Sequence, residues 1–136
     1  MELGLSQRVA LVTGASSGLG LAIARTLAAE GCAVAMAARG GELLEREAAD
    51  IVAQAKGRAL PLRGDVTRVE DVARITSQAA SMLGPIDILL ANAGEPSSTM
   101  FATTIASECA PDDLFVNTVL PGHFDTHGAL EPAKLR

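Results

Sequence analysis

The sequence predicts an α/β fold, a doubly wound parallel sheet with helices on both faces, and three observations predict it. Short apolar runs alternate with longer stretches of helical periodicity, the pattern that successive βαβ units leave in a chain. The runs are apolar at consecutive rather than alternate positions, as strands covered on both faces are. The first run passes directly into a glycine-rich turn, Gly14-Ala-Ser-Ser-Gly18-Leu-Gly20, which opens a helix.

The elements follow in order. Val9–Thr13 reads as the first strand and Gly18–Glu30 as the first helix, with Leu19, Ile23 and Leu27 spaced along one face. Gly31 is its stop. Ala33–Ala37 is the second strand. Glu42–Lys56 is the second helix, with Leu44, Ala48, Ile51, Val52 and Ala55 as its apolar stripe, and Gly57 ends it. Ala59–Arg63 is the third strand, and Pro61, which donates no backbone hydrogen bond, predicts an edge position. Thr67-Arg-Val-Glu70 has the form of a capping box. It opens a third helix carrying Val72, Ile75, Ala79 and Leu83, closed by Gly84-Pro85. Ile86–Ala91 is the fourth strand, apolar enough for burial on both faces.

Composition narrows the function classes. The 136 residues are 49% hydrophobic, yet only three are Phe and none is Trp or Tyr, so Ala, Leu and Val must build the core. A chain of this length supports one domain, 1–136. The net charge of −5 argues against a nucleic-acid surface. Cys32 and Cys109 lack metal-ligand spacing and read as free thiols, the intracellular default. No apolar run reaches the length of a membrane span, and the N-terminus lacks the basic start of a signal peptide. These features together predict a cytoplasmic protein.

The glycine-rich turn carries the chemistry. A chain leaving a strand this sharply needs positions without a Cβ, and a ligand can then approach the backbone closely. The free N–H groups and positive dipole end of the following helix suit a phosphate. No Gly-Lys-Ser/Thr follows, so this is not a P-loop. A structural glycine turn is the plain alternative. At the end of the second strand a site for NAD usually carries an acid that holds the ribose hydroxyls. This chain has Ala37-Ala38-Arg39 there, and Arg39 is suited to a 2′-phosphate unless it is simply a solvated surface residue.

Thr13-Gly14-Ala-Ser-Ser-Gly18-Leu-Gly20 resembles the Thr-Gly-x-x-x-Gly-x-Gly turn of the short-chain dehydrogenase/reductases. Three further matches follow in family order: Asp65-Val66, Asn92-Ala93-Gly94, and Val116-Asn-Thr-Val-Leu-Pro121-Gly-His-Phe-Asp-Thr126. The resemblance implies a Rossmann fold, with 1–94 well matched and 95–136 a shortened remnant of the catalytic half. It implies an oxidoreductase lineage that moves hydride between a nicotinamide cofactor and a carbonyl or alcohol. The implied cofactor is NADP, with NAD less favoured because of Arg39. Gly14, Ser16, Ser17, Gly18, Leu19 and Gly20 would cradle the pyrophosphate. Asp65 would meet the adenine edge, Val66 its ring, and Asn92, Ala93 and Gly94 would steady the sheet beside the cofactor. Phe124 and Thr126 would face the carboxamide and phosphates.

The same resemblance exposes an absence. Family chemistry rests on a Tyr-x-x-x-Lys pair preceded by a Ser, and this chain has no Tyr and only Lys56 and Lys134. The interval 95–116 is too short for the two helices and the strand that the family places there. A junction near Thr104–Ile105 would account for both halves. The truncated chain then has no catalytic residues to assign. Three readings stay open: an oxidoreductase lineage inactive as given, a silent dinucleotide-binding module, and part of a longer active enzyme with a small-molecule substrate. For an intact chain, Thr104–Ala110 is expected to be a helix and Leu114–Val119 a strand beside the fourth, giving the order 3-2-1-4-5 with apolar surface that favours a homo-oligomer.

Two other constellations fall short of a site. His123, Asp125 and His127 lie in a Pro/Gly-containing segment without a fourth ligand, so no metal site is expected. Ser16 and Ser17 do not sit in a Gly-x-Ser-x-Gly elbow.

Overall fold

The computed structural model describes residues 3–55 and 57–92. Within them, β1 (Val9–Thr13), α1 (Gly18–Ala29), β2 (Ala33–Ala38), α2 (Gly41–Gln54), β3 (Arg58–Arg63), α3 (Val69–Leu83) and β4 (Ile88–Leu90) alternate as the periodicities require. The four strands form one sheet in the order β3-β2-β1-β4. Every pair is parallel, with Leu11 opposite both Ala35 and Leu89, and Ala35 opposite Leu60. Among the described residues β3 and β4 are the outer strands, and Pro61 therefore lies on an outer strand as expected.

Side-chain alternation along the strands builds two cores. On one face Val9, Leu11, Ala33, Ala35 and Leu62 pack against Val72, Ile75 and Ala79 of α3. On the other, Val12, Val34 and Met36 pack against Ala24 and Ala28 of α1 and Leu44, Ala48 and Ile51 of α2. The doubly wound architecture is thus realised in the described residues. Every residue of β1 and β2 is buried, which explains why both strands are apolar without alternation. Arg25 of α1 reaches across to Glu47 (2.5 Å) and Asp50 (2.8 Å) of α2, tying the two helices on this face together.

Four expectations need correction. The buried stripe of α1 is Gly20, Ala24 and Ala28, while Leu19, Ile23 and Leu27 flank it, half-buried. Small residues on the sheet-facing side bring this helix close to β1, and the larger side chains fill the flanks. On α2, Val52 is 53% exposed and lies off the core stripe. The capping box fails. The helix begins after Arg68, because Thr67 donates both its backbone N–H (2.9 Å) and its hydroxyl (2.7 Å) to Asp65 Oδ1. A hydroxyl committed to a local Asp turn is not available to cap. Finally, β4 is buried only at Leu89, with Ile88 and Leu90 half-buried. Its one neighbour among the described residues is β1.

Several expectations lie outside the described residues: Lys56 at the second helix end, the helix Thr104–Ala110, the strand Leu114–Val119 and hence the five-strand order, Cys109, and the junction at Thr104–Ile105. Cys32 is buried, and its thiol lies 3.3 Å from the Leu5 carbonyl, to which it donates. Burial pushes that thiol up from its ordinary value, with Asp87 and Glu30 adding to the shift. Among the described residues no helix is long and apolar enough to cross a membrane.

Candidate functional site

The order β3-β2-β1-β4 fixes where a ligand can bind. From β1 the chain goes outward to β2 and β3, then returns across the sheet to β4 on the far side of β1. α1, which leaves β1, and α3, which leaves β3, pack on opposite faces of the sheet, and it is at such a switch point, here the carboxyl ends of β1 and β4, that open α/β sheets form their ligand crevice. The glycine-rich turn stands at that crevice.

Its geometry is set by backbone conformation and by crowding. Gly14 and Gly18 have φ of 63° and 57°, the left-handed region that side chains disfavour. Gly20 is needed for space instead. A β-carbon there would collide with the Gly14 carbonyl oxygen and fall 2.7 Å from Asn92 Nδ2. The turn is also anchored to β2, because Ala15 N–H donates to the Ala37 carbonyl at 3.2 Å. Ser17 occupies the N-cap of α1 in extended conformation but makes no side-chain cap bond, and the first turn carries no acid. The opening amides of α1 are thus not claimed by a capping side chain, and no carboxylate opposes an anion there. Ser16 and Leu19 are half-buried, and Ser17 and Gly18 are exposed beside them.

Thr13 joins the two strands that flank the crevice. It is fully buried, its hydroxyl accepts from Asn92 N–H at 2.9 Å, and it lies 3.4 Å from the Leu90 carbonyl. Asn92, which follows β4, is thereby brought to Gly20 across the crevice. A polar residue closing an apolar strand was the only sequence signal for this role of Thr13.

A second cluster gathers at the carboxyl ends of β2 and β3. Arg39, Arg63, Gly64, Asp65, Asp71 and Arg74 line a cleft of about 400 Å³. Arg63 Nε donates to the Arg39 carbonyl at 3.1 Å, and Arg74 Nη2 donates to the Arg63 carbonyl at 2.6 Å. Asp71 Oδ2 accepts from Asp65 N–H at 2.8 Å. The donations from Thr67 hold the Asp65 carboxyl below the usual carboxylate range, and Arg39 and Arg68 add to this. The Asp65 amide, and next Arg74, lower Asp71 in the same way. Both carboxylates of the cleft are thus engaged locally. Among the described residues Arg39 and Arg63 form no ion pair.

The structure therefore brings Gly14, Ser16, Ser17, Gly18, Leu19, Gly20 and Asn92 into one group and Arg39 and Asp65 into another, with Val66 half-buried against the α3 core. Ala93, Gly94, Phe124 and Thr126 lie outside the described residues, as do His123, Asp125 and His127. Arg63, Asp71 and Arg74 escaped the sequence reading. They come from different elements and meet Arg39 only in the fold, although an Arg at the carboxyl end of a strand is a usable signal in hindsight.

Comparison with known proteins bears on the family and the fold. The short chain dehydrogenase family matches residues 8–100. The chain is 39% identical over 124 residues to the uncharacterized oxidoreductase YuxG of Bacillus subtilis (strain 168), covering 90% of this chain and 18% of that protein. It is 43% identical over 108 residues to cis-4-hydroxycyclohexanecarboxylate dehydrogenase of Sinomonas cyclohexanicum, covering 75% of this chain and 41% of that one. Among solved structures, L-sorbose reductase from Gluconobacter frateurii, complexed with NADPH and L-sorbose, superposes with a TM-score of 0.75 at 32% identity. That match covers 82% of this chain and 49% of the reductase. The chain spans less than half the length of each of these relatives.

Proposed function

The chain belongs to the short-chain dehydrogenase family, and from that premise we propose that it binds a nicotinamide dinucleotide along the carboxyl edge of its sheet, with NADP(H) preferred over NAD(H). The observation that carries this reading is the cradle at Gly20, where backbone, helix start and Asn92 meet so closely that no Cβ fits. The residues present fit the group. Gly14, Ser16, Ser17, Gly18, Leu19 and Gly20 would receive the pyrophosphate, mainly through backbone N–H groups. Asp65 and Val66 would border the adenine, and Arg39, which forms no ion pair among the described residues, would face the 2′-phosphate. Asn92, Ala93, Gly94, Phe124 and Thr126 complete the proposed contacts. When bound, the dinucleotide carries the hydride that oxidoreductases of this family transfer.

With no Tyr anywhere in the 136 residues, this chain has no phenol to hand a proton to a substrate oxygen. We therefore read it as a dinucleotide-binding unit without carbonyl-reducing activity of its own. A second reading is that the same unit forms part of a longer oxidoreductase with a small-molecule substrate, favoured by the share of each relative that it covers. The test common to both is calorimetry. NADP⁺ should bind the chain, and Gly14→Val, which places a β-branched residue at a φ of 63°, should abolish binding. Equal affinity in the variant would sink the reading.

A further inference from the structure

The arginine that faces a 2′-phosphate in this reading sits on an exposed turn, and a long side chain on such a turn surrenders conformational freedom when it binds. The structure supplies a support for that turn. Arg63, at the end of β3, extends toward the start of α2. Its Nε donates to the Arg39 carbonyl at 3.1 Å. Its stem passes so close to Gly41 that a β-carbon there would fall 3.2 Å from Arg63 Cδ. The residue thus brackets the segment Arg39–Gly41 from both ends. Arg63 is itself fixed at its backbone. Its carbonyl accepts from Arg74 Nη2 at 2.6 Å, and the next residue, Gly64, donates its N–H to the Ala38 carbonyl at 3.0 Å. Asp71, which lies 3.5 Å from Arg74 Nη2, also receives the Asp65 N–H at 2.8 Å, so α3 braces both sides of the β3 terminus.

We propose that Arg63 is a positioning residue for phosphate discrimination: it holds the turn that carries Arg39, and selectivity for a 2′-phosphorylated dinucleotide depends on it without its touching the phosphate. The proposal rests on the dinucleotide reading above. Arg63 forms no ion pair among the described residues, so its guanidinium is not explained by a structural salt bridge. It is exposed, so its replacement removes no core packing. Holding the turn through a backbone carbonyl acts on Arg39 whatever the rotamer of its side chain. It therefore reduces the disorder to be lost on binding rather than adding a contact.

The experiment is a double-variant cycle read by calorimetry with NADP⁺ and NAD⁺ on the full chain. Arg63→Met keeps the apolar stem over Gly41 and removes the Nε donor. The ratio of the NAD⁺ to the NADP⁺ dissociation constant should fall by roughly threefold to tenfold, the effect of losing one net hydrogen bond. Arg39→Ala should lower the ratio further, and Arg39→Ala/Arg63→Met should lie no lower than Arg39→Ala alone, because Arg63 acts through Arg39. A purely structural role would weaken both dinucleotides together and leave the ratio unchanged, which overturns the proposal. Additive losses in the double variant would mean direct phosphate contact by Arg63 and also overturn it. Binding of neither dinucleotide to the unsubstituted chain would instead overturn the dinucleotide reading, and this proposal with it.

Discussion

The Thr13 hydroxyl accepts a hydrogen bond from Asn92 N–H at 2.9 Å, linking residues 79 positions apart at the ends of the two strands that border the crevice. β1 and β4 are already paired from Ala10–Ile88 to Val12–Leu90, and this contact carries the pairing one step further, through a side chain. It places Asn92 over Gly20, so the same bond that closes the sheet shapes the cradle. Thr13→Val keeps the branched shape and removes the hydroxyl. It should cost about 1–2 kcal/mol, the range for a lost hydrogen bond that strands a partner. In a thermal melt the midpoint should drop by several degrees, and Thr13→Ser should recover much of the loss. An unchanged midpoint for Thr13→Val would show that the bond adds nothing to the fold.

Gly20 has no conformational need to be glycine, since its φ is not positive, and its constraint is space alone. Gly20→Ala should therefore destabilise through overpacking, by about 1–3 kcal/mol. The Gly14 carbonyl and Asn92 must move apart, so dinucleotide affinity should fall as well. Denaturant midpoints and calorimetry check the two effects separately. An alanine variant with unchanged stability would show that the turn relaxes freely, which a preformed cradle would not do.

What could be read before the fold was known follows from range. The strands were legible because a sheet covered on both faces makes consecutive residues apolar, as in Val9–Thr13 and Ala33–Ala38. The turn was legible because its needs are local: positive φ at Gly14 and Gly18, and close approach at Gly20. The face of α1 was misjudged because Ala24 and Ala28 contrast weakly with the larger Leu and Ile flanking them. Local competition defeated the Thr67 capping box, since Asp65 takes the hydroxyl first. The Arg39–Arg63–Arg74 cluster was illegible for a different reason. Its members come from a turn, a strand and a helix, and only the pairing of β2 with β3 and the packing of α3 bring them to one cleft.

Arg39 replaces the acid that would hold a 2′-hydroxyl, and among the described residues no carboxylate is paired with it. NADP(H) should therefore bind more tightly than NAD(H), and Arg39→Ala should erase the difference. One charge-assisted contact of this kind is worth about 1.5–3 kcal/mol, or roughly tenfold to over a hundredfold in affinity. A lower dissociation constant for NAD⁺ than for NADP⁺ in the unsubstituted chain would overturn the preference.

Chemistry should be absent from this chain even with NADPH supplied. The proton donor expected of the family is a tyrosine, and there is none; Cys32 is buried in the core. Carbonyl reduction by a purified 136-residue chain should stay at background across a panel of aldehydes, ketones and sugars, followed by loss of NADPH absorbance. Robust turnover by a chain of verified mass would refute this and require another acid.

Asp71 makes stability depend on pH in a direction that its contacts fix. Its carboxylate accepts the Asp65 N–H at 2.8 Å and lies beside Arg74, and both contacts favour the charged form. The folded-state pKa is therefore below the unfolded one, which for an ordinary Asp is about 3.9. A depressed pKa contributes stability that is fully present above the unfolded value and is lost as the pH falls through the folded value. The unsubstituted chain should accordingly be more stable than Asp71→Asn at pH 7 and at pH 5. That advantage should shrink from about pH 4 downward, until the two denaturation curves converge in strong acid. Asp65 shifts in the same direction through Thr67 and is present in both chains, so the difference between them isolates Asp71. A gap that stays constant from pH 7 to pH 2.5 would mean that the carboxylate charge contributes nothing there.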